Sequence, residues 1–120
     1  MQVANTKNLI IIFILALLGE FVFAETVNVS GKVTLEGQND HSDVKVLFEA
    51  VSPSAIQDSV YTESDGSFAK NLEVGIYNVH FIKDGFQPQE IPDQFFDENI
   101  VLENVSMPVG TVVYVEGSVQ

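Results

Sequence analysis

The sequence predicts an all-β domain, an antiparallel Greek-key sandwich of the seven-stranded type. Short apolar runs alternate with polar residues at a period of two, which is typical of strands with one buried face. Closely spaced glycines separate these runs at turn positions, as at Gly66, Gly75 and Gly85. After residue 24 no apolar pattern of helical spacing extends over ten positions. Two packed sheets are expected because a single sheet would leave its apolar face in water.

The first 24 residues predict a helical secretory signal that precedes the domain. Lys7 comes before an apolar run at residues 9–18, and Val22 and Ala24 occupy the −3 and −1 positions of a cleavage site. The run is shorter than the ~20 residues of a spanning helix, which disfavours the alternative of an uncleaved anchor. The sequence has no cysteine, so no lipobox is present and a lipid-anchored precursor is not expected.

The composition is acidic and limits the classes of partner. The chain has 17 acidic residues against 5 basic ones, and its net charge is −12. Such a surface repels phosphate backbones and anionic headgroups, so neither nucleic-acid binding nor membrane binding by the mature domain is expected. Without disulfides the domain must rely on apolar packing, which its 46% hydrophobic content allows.

Two alternating segments predict the first two strands. The first covers residues 26–35 and the second covers residues 44–51, with a turn-forming segment at residues 36–43 between them. The residues expected to face inward are Val27, Val29, Gly31, Val33 and Leu35 in the first strand and Val44, Val46 and Phe48 in the second.

A hairpin and a central strand follow. Strands at residues 59–62 and 67–72 are joined by a turn at Ser64-Asp65-Gly66. Lys70 interrupts the apolar alternation of the second of these strands, which predicts a bulge or an exposed edge there. Residues 76–83 have β-propensity on both faces and are expected to be central. Their inward set is Tyr77, Val79 and Phe81, and their outward set includes His80.

The remaining elements are shorter. Residues 86–91 predict a sixth strand, residues 92–98 a loop that contains Pro92, and residues 99–102 a further strand. We expect a signal at residues 1–24, a sandwich domain at residues 25–107, and a last segment at residues 108–120. That segment either closes the sandwich with a strand at residues 111–119 or begins a second, truncated module.

Five motifs in a fixed order carry a resemblance to a known family. They are V-S-G-K-V-T from Val29, V-K-V-L-F from Val44, T-E-S-D-G-S-F from Thr62, V-G-I-Y-N-V from Val74 and D-G-F from Asp84. Over about residues 27–105 the chain resembles the carboxypeptidase regulatory-like domains, which belong to the transthyretin-like or prealbumin-like β-sandwiches and are related to collagen-adhesin B-type repeats.

The resemblance implies a non-catalytic accessory module without a cofactor. We expect an exported structural or protein-interaction unit at the cell surface or in the periplasm, whose partner is a protein or a glycan. The alternative is a carbohydrate-binding module that uses exposed aromatic side chains. The lysine–asparagine cross-link of adhesin-type repeats is not expected, because Lys32 is on the polar face and Glu49 has no assigned partner.

The motifs of catalysis and metal binding are weak in this sequence. Asp40, Asp43 and Asp65 form a calcium site only if their two loops share one end of the sandwich, and their spacing matches no calcium loop. His80 has neither a cysteine nor a nearby histidine beside it, which disfavours zinc. No serine lies in a G-x-S-x-G turn, so no catalytic residue is assigned and the chain is not expected to be an enzyme.

Exposed aromatic residues are the candidate ligand contacts. They are Tyr61, Phe95 and Phe96, because sugar rings stack on exposed aromatic faces. Neighbouring side chains on an extended segment point in opposite directions, so one of Phe95 and Phe96 can be buried while the other is exposed. The alternative is that both phenylalanines anchor a loop on the core. The absence of tryptophan weakens the carbohydrate interpretation.

Overall fold

Eight strands form two sheets that pack face to face in the computed structural model, which describes residues 25–110. The strands are β1 (Thr26–Leu35), β2 (Lys45–Ser52), β3 (Gln57–Tyr61), β4 (Ser67–Glu73), β5 (Gly75–Ile82), β6 (Gln89–Phe96), β7 (Ile100–Val101) and β8 (Val105–Met107). This range contains no helix with the length and hydrophobicity needed to cross a membrane. The predicted signal helix lies outside the described residues. The predicted all-β sandwich is confirmed.

One sheet is antiparallel throughout and the other is mixed. The antiparallel sheet has the order β3-β2-β5-β6. In the second sheet β1 lies between β4, which is antiparallel to it, and the short strands β7 and β8, which are parallel to it. We expected only antiparallel pairs. After β6 the chain crosses to the other sheet and enters it beside the first half of β1. The strands β7 and β8 therefore run in the same direction as β1. Because β7 and β8 lie in succession along one edge of β1, they occupy one strand position, and the sandwich has seven positions.

Most of the core is built from residues that alternation predicted, while Ala50, Leu102 and Met107 are core residues that it did not predict. Phe68 packs its ring between two phenylalanines of the other sheet, with centroid distances of 6.4 Å to Phe48 and 6.0 Å to Phe81. The ring has room because it lies over Gly31, where an added Cβ would come within 2.8 Å of it. The buried apolar residues are Val27, Val29, Val33, Leu35, Val44, Val46, Phe48, Ala50, Phe68, Leu72, Tyr77, Val79, Phe81, Phe96, Leu102 and Met107.

Strand β6 differs most from its predicted bounds. We expected a strand at residues 86–91 followed by a loop at Pro92, whereas β6 covers Gln89–Phe96 and contains the proline. Its pairing with β5 shifts register at this point, and Asp93 has a φ of 55°. The Asn78 side-chain oxygen accepts a hydrogen bond of 2.9 Å from the Asp93 backbone nitrogen. A proline is tolerated here because the bulge lies in an edge strand.

Lys70 lies at a sheet edge, which was one of the two alternatives predicted for this residue. Strand β4 is the outer strand of its sheet, but its register with β1 is regular through Lys70, which pairs with Val29. The expected bulge is therefore absent at this position of the described chain. The Lys70 ammonium instead reaches Asp58 of β3 in the other sheet, at 3.2 Å. The inward-facing lysine is accommodated because its charge lies at the open side of the sandwich.

Candidate functional site

The two outer faces of the sandwich differ in chemistry. The outer face of the β4-β1-β7 sheet is mostly polar, and its residues include Asn28, Ser30, Lys32, Thr34, Ala69, Asn71 and, at the edge, the exposed Val101. The outer face of the β3-β2-β5-β6 sheet carries both apolar and charged side chains. Its residues include Lys45, Leu47, Glu49, Ile76, Asn78, His80, Ile82, Glu90 and Phe95. We call this second surface the mixed face. It combines apolar side chains with ionisable groups, so it is the stronger candidate for recognition.

A histidine and a glutamate interact at the centre of the mixed face. His80 of β5 and Glu49 of β2 are joined by a bond of 3.0 Å between Nε2 and Oε1. This bond is the main cause of the lowered pKa of Glu49, with a further contribution from the Asn78 side chain. Glu90 of β6 approaches the same imidazole nitrogen at 4.0 Å. The partner of Glu49 was missed because it is 31 residues away, on a strand whose pairing with β2 the sequence did not predict.

The structure separates the two neighbouring phenylalanines. Both belong to β6 rather than to a loop. Phe96 is 1% exposed and stacks on Tyr77 at a centroid distance of 5.6 Å, whereas Phe95 is 61% exposed beside Ile76 on the mixed face. Phe96 is thus a core residue, and Phe95 remains a candidate contact. The prediction that neighbouring side chains point in opposite directions is confirmed.

Tyr61 lies at the opposite corner of the same face. It is 55% exposed, at the end of β3, and pairs with Lys45, which in turn pairs with Ile82. Phe95 pairs with Ile76, at the other end of β5. Six residues of strand separate Ile82 from Ile76, which corresponds to ~20 Å along the sheet. A single small ligand cannot contact Tyr61 and Phe95 together.

A groove surrounds the Tyr61 corner. Its walls come from β2, β3, β5 and the turns beside them, and its lining residues are Asp43, Lys45, Tyr61, Ile82, Lys83 and Asp84. We call it the Tyr61 groove. Within residues 25–110 neither of its lysines has a carboxylate within 4.0 Å. Ammonium groups, carboxylates and an aromatic ring are thus available together in one depression.

The loops that carry the calcium candidates do share one end of the sandwich. The backbone nitrogen of His41 donates a hydrogen bond of 2.9 Å to the Ser64 carbonyl oxygen. Asp40 and Asp65 are each engaged within their own turns, where they accept bonds from Ser42 and Ser67. These bonds lower the pKa of both carboxyl groups.

The third calcium candidate, Asp43, lines the Tyr61 groove. The described part of the chain contains no group of three or more histidine, aspartate or glutamate side chains arranged to hold a metal ion. The calcium site therefore stays a prediction.

A buried threonine holds the loop that precedes β2. Thr62 is 4% exposed, and its hydroxyl donates a hydrogen bond of 2.6 Å to the His41 carbonyl oxygen. The Thr62 hydroxyl oxygen also accepts a bond of 3.0 Å from the Val44 backbone nitrogen. The Asp43 backbone nitrogen donates to the Thr62 carbonyl oxygen at 3.1 Å, and Asp43 has a φ of 65°. The backbone that forms one wall of the Tyr61 groove is therefore fixed by three hydrogen bonds to the hydroxyl and carbonyl groups of Thr62.

Comparison with known proteins supports the fold. No protein-family model matches the chain, and no curated protein is similar to it. Among solved structures, the Coh3ScaB-XDoc_M2ScaA complex, a type II Cohesin-X-Dockerin complex from Acetivibrio cellulolyticus, contains a chain with 22% identity and a TM-score of 0.56; the match covers 68% of this chain and 56% of that one. The M1 variant of that complex gives 21% identity and a TM-score of 0.56, over 70% and 58% of the two chains.

A third similar structure is GBS52, the minor pilin of Streptococcus agalactiae. Its identity is 14% and its TM-score 0.46, over 75% of this chain and 47% of that one. The present chain thus spans less than two thirds of the length of each of these proteins. The likeness to the two Cohesin-X-Dockerin chains, at 22% and 21% identity, shows the β-sandwich fold.

Proposed function

We propose that the chain is a non-catalytic, exported β-sandwich module that acts as a structural or protein-interaction unit at the cell surface or in the periplasm. In this proposal residues 1–24 direct export and are removed, and residues 25–107 form the module. The family-level resemblance to carboxypeptidase regulatory-like domains belongs to the same proposal. The observation that carries the interaction role is the difference between the two outer faces of the sandwich.

The mixed face has the composition of a protein contact surface. Phe95 and Ile82 are exposed there, while Leu47 and Ile76 are half-buried between them. Aromatic and aliphatic side chains that surround a few polar groups are typical of the centre of protein interfaces. The opposite outer face carries small polar side chains, such as Asn28 and Asn71, which hydrogen-bond to each other at 3.0 Å. We infer that a partner protein contacts the mixed face.

The surroundings of the histidines support a non-catalytic module. The ring of His41 accepts a hydrogen bond of 2.9 Å at Nδ1 from the Leu35 backbone nitrogen, so this ring has a structural partner. The other histidine, His80, has Glu49 as its partner. Each imidazole is thus engaged with a group other than a nucleophile, whereas a catalytic base must contact the group that it deprotonates.

A second candidate function is carbohydrate binding. The observation that favours it is the Tyr61 groove, where an exposed aromatic ring lies among hydrogen-bonding side chains. Phe95 offers an exposed ring as well, but its strand neighbour Ile76 is apolar. The Tyr61 corner is therefore the stronger of the two places for a sugar.

Photo-cross-linking from single cysteines tests the interaction role, because the sequence contains no cysteine of its own. A benzophenone is attached in Ser59→Cys, on the mixed face, and in Ala69→Cys, on the polar face, and each protein is added to envelopes of the producing cells. We expect a discrete adduct from position 59 that unlabelled protein competes away and that Phe95→Ala weakens. Equal adducts from both positions, or none from position 59, would contradict the interaction role.

Export is tested separately by mass spectrometry of the protein recovered from the producing cells. We expect a chain that begins at Glu25, since cleavage is proposed after Ala24. Recovery of the intact chain from the cytoplasm would reject export without affecting the interaction test.

A further inference from the structure

We propose that the Tyr61 groove is a subsite for one ring of a neutral saccharide. This inference rests on the second candidate function and assigns it a place and a ligand class. The groove shares Lys45 and Ile82 with the mixed face, but it lies at the corner opposite Phe95.

The groove is built by the register of three neighbouring strands. Lys45 of β2 is paired with Tyr61 of β3 on one side and with Ile82 of β5 on the other. Strands in a sheet are ~4.8 Å apart, so the backbones at Tyr61 and Ile82 are ~10 Å apart, with Lys45 between them. This spacing accepts one sugar ring laid against the tyrosine, with the isoleucine as a second apolar wall.

The charges in the groove select a ligand without net charge. Lys45 and Lys83 line it together with Asp43 and Asp84, so an anionic ligand meets two carboxylates and a cationic ligand meets two ammonium groups. The chain's net charge of −12 further disfavours an anionic polysaccharide. Hydroxyl groups both donate and accept hydrogen bonds, so they satisfy carboxylates and ammonium groups alike. A neutral polyhydroxyl ring is therefore the ligand that neither the carboxylates nor the ammonium groups repel.

The lysines of the groove have no ion-pair partner among residues 25–110, and the backbone segments that carry its carboxylates are held by hydrogen bonds. No ion pair among residues 25–110 neutralises Lys45 or Lys83. On one side the loop with Asp43 is bound by the buried Thr62. On the other side a turn bond of 3.1 Å from the Phe86 nitrogen to the Lys83 carbonyl oxygen holds the segment with Asp84. Fixed groups lose little conformational freedom on binding, which favours recognition of a small ligand.

The tyrosine supplies the apolar contact. Tyr61 is 55% exposed and lines the groove, and aromatic rings combine a large contact area with few rotatable bonds. Phe95 is more exposed than Tyr61, but its partner across the strands is Ile76. This contrast makes Phe95 a matched control, because its loss removes an exposed aromatic ring of the same sheet face without touching the groove.

An NMR titration of the ¹⁵N-labelled protein tests the subsite. The probes are hexasaccharides of glucose (β-1,4 and α-1,4 linked), mannose and N-acetylglucosamine, with oligogalacturonate as the anionic comparison. We expect at least one neutral probe to shift the amides of Lys45, Tyr61, Ile82 and Lys83 with millimolar affinity. Tyr61→Ala should weaken binding at least tenfold, Tyr61→Phe less than threefold, and Phe95→Ala less than twofold.

Three results would overturn the subsite. They are the absence of shifts with every neutral probe at 10-fold the expected dissociation constant, shifts that persist in Tyr61→Ala, and binding of oligogalacturonate alone. A peptide that shifts the same amides when no sugar does would also replace the saccharide as the ligand. The cross-linking result from position 59 distinguishes this failure from a failure of the interaction role, since Phe95→Ala affects only the latter.

Discussion

The hydroxyl of Thr62 bonds to the carbonyl oxygen of His41 at 2.6 Å and thereby connects the β3–β4 turn to the loop before β2. The same hydroxyl accepts the Val44 backbone nitrogen. One buried side chain thus satisfies a backbone acceptor and a backbone donor that have no strand partner at those positions. Together with the backbone bond from His41 to Ser64, this residue holds the groove wall in place.

Thr62→Val should destabilise the domain by ~1–3 kcal/mol, because it leaves a buried acceptor and a buried donor unsatisfied while nearly keeping the side-chain volume. The measurement is the free energy of unfolding in urea. Thr62→Ser keeps the hydroxyl and serves as the control. Equal stability of the valine variant and the wild type would show that water or another group replaces these hydrogen bonds.

Gly66→Ala should be among the most destabilising changes of a single methyl group in the domain. Gly66 has a φ of 87°, and an added Cβ would lie 2.0 Å from the Val33 carbonyl oxygen, so the β3–β4 turn would have to move. Gly85→Ala is the matched control, because Gly85 also has a φ of 87° but an added Cβ there meets nothing within 4 Å.

Gly85→Ala should lower the free energy of unfolding by only ~1–2 kcal/mol, which is the cost of an alanine in the left-handed backbone conformation. Thermal unfolding of the two variants measures the difference. Similar melting temperatures would contradict the predicted steric contact with β1.

Phe96→Ala and Phe95→Ala should have very different effects on stability. Phe96 is fully buried against Tyr77, so its truncation should cost ~3–5 kcal/mol. The change at Phe95 removes an exposed side chain and should stay within ~0.5 kcal/mol. If Phe96→Ala does not fold, Phe96→Leu provides a milder loss for comparison in urea unfolding. A larger loss at position 95 than at position 96 would contradict the orientation of β6.

His80→Phe should raise the pKa of Glu49 toward its ordinary value, because the bond from the imidazole is the main cause of the lowered pKa. A carboxyl group with a lowered folded-state pKa stabilises the fold above its unfolded pKa, and this contribution is lost as the pH falls through the folded pKa. The variant should therefore lose less stability on acidification below pH ~4.5 than the wild type.

The side-chain carboxyl ¹³C shift of Glu49 followed with pH measures this effect directly. Asn78→Ala is a useful comparison, since Asn78 makes the smaller contribution and should raise the pKa less. A Glu49 pKa that does not change in His80→Phe would mean that the two side chains are not paired in solution.

Local pattern was sufficient for most strands. Strand β1 has the predicted bounds, and the bounds of β2 to β5 and β7 agree within two residues. Strand β8 was not predicted separately. The alternation also identified the inward residues Phe48, Val79 and Phe81 correctly. These features follow from the period of two, which is a property of each strand by itself.

Pairing across the sheet required the tertiary structure. The local sequence predicts Pro92 in a loop, but the bulge opposite Asn78 accommodates it within β6. Lys70 interrupts the apolar alternation of its strand, but Asp58 of the opposite sheet provides an ion-pair partner for it. In both cases the deciding group is distant in the sequence, so the immediate neighbours of the residue carry no information about it.

The sequence alone determined that alternate side chains are buried between two sheets, because the free energy of removing them from water acts residue by residue. It also indicated three aromatic candidates for ligand contact without distinguishing among them. Only the tertiary structure decided that Phe96 belongs to the core, that Phe95 and Tyr61 lie at opposite corners, and that Tyr61 shares a groove with two lysines. These outcomes depend on strand order and register, which are set by contacts between distant segments of the chain.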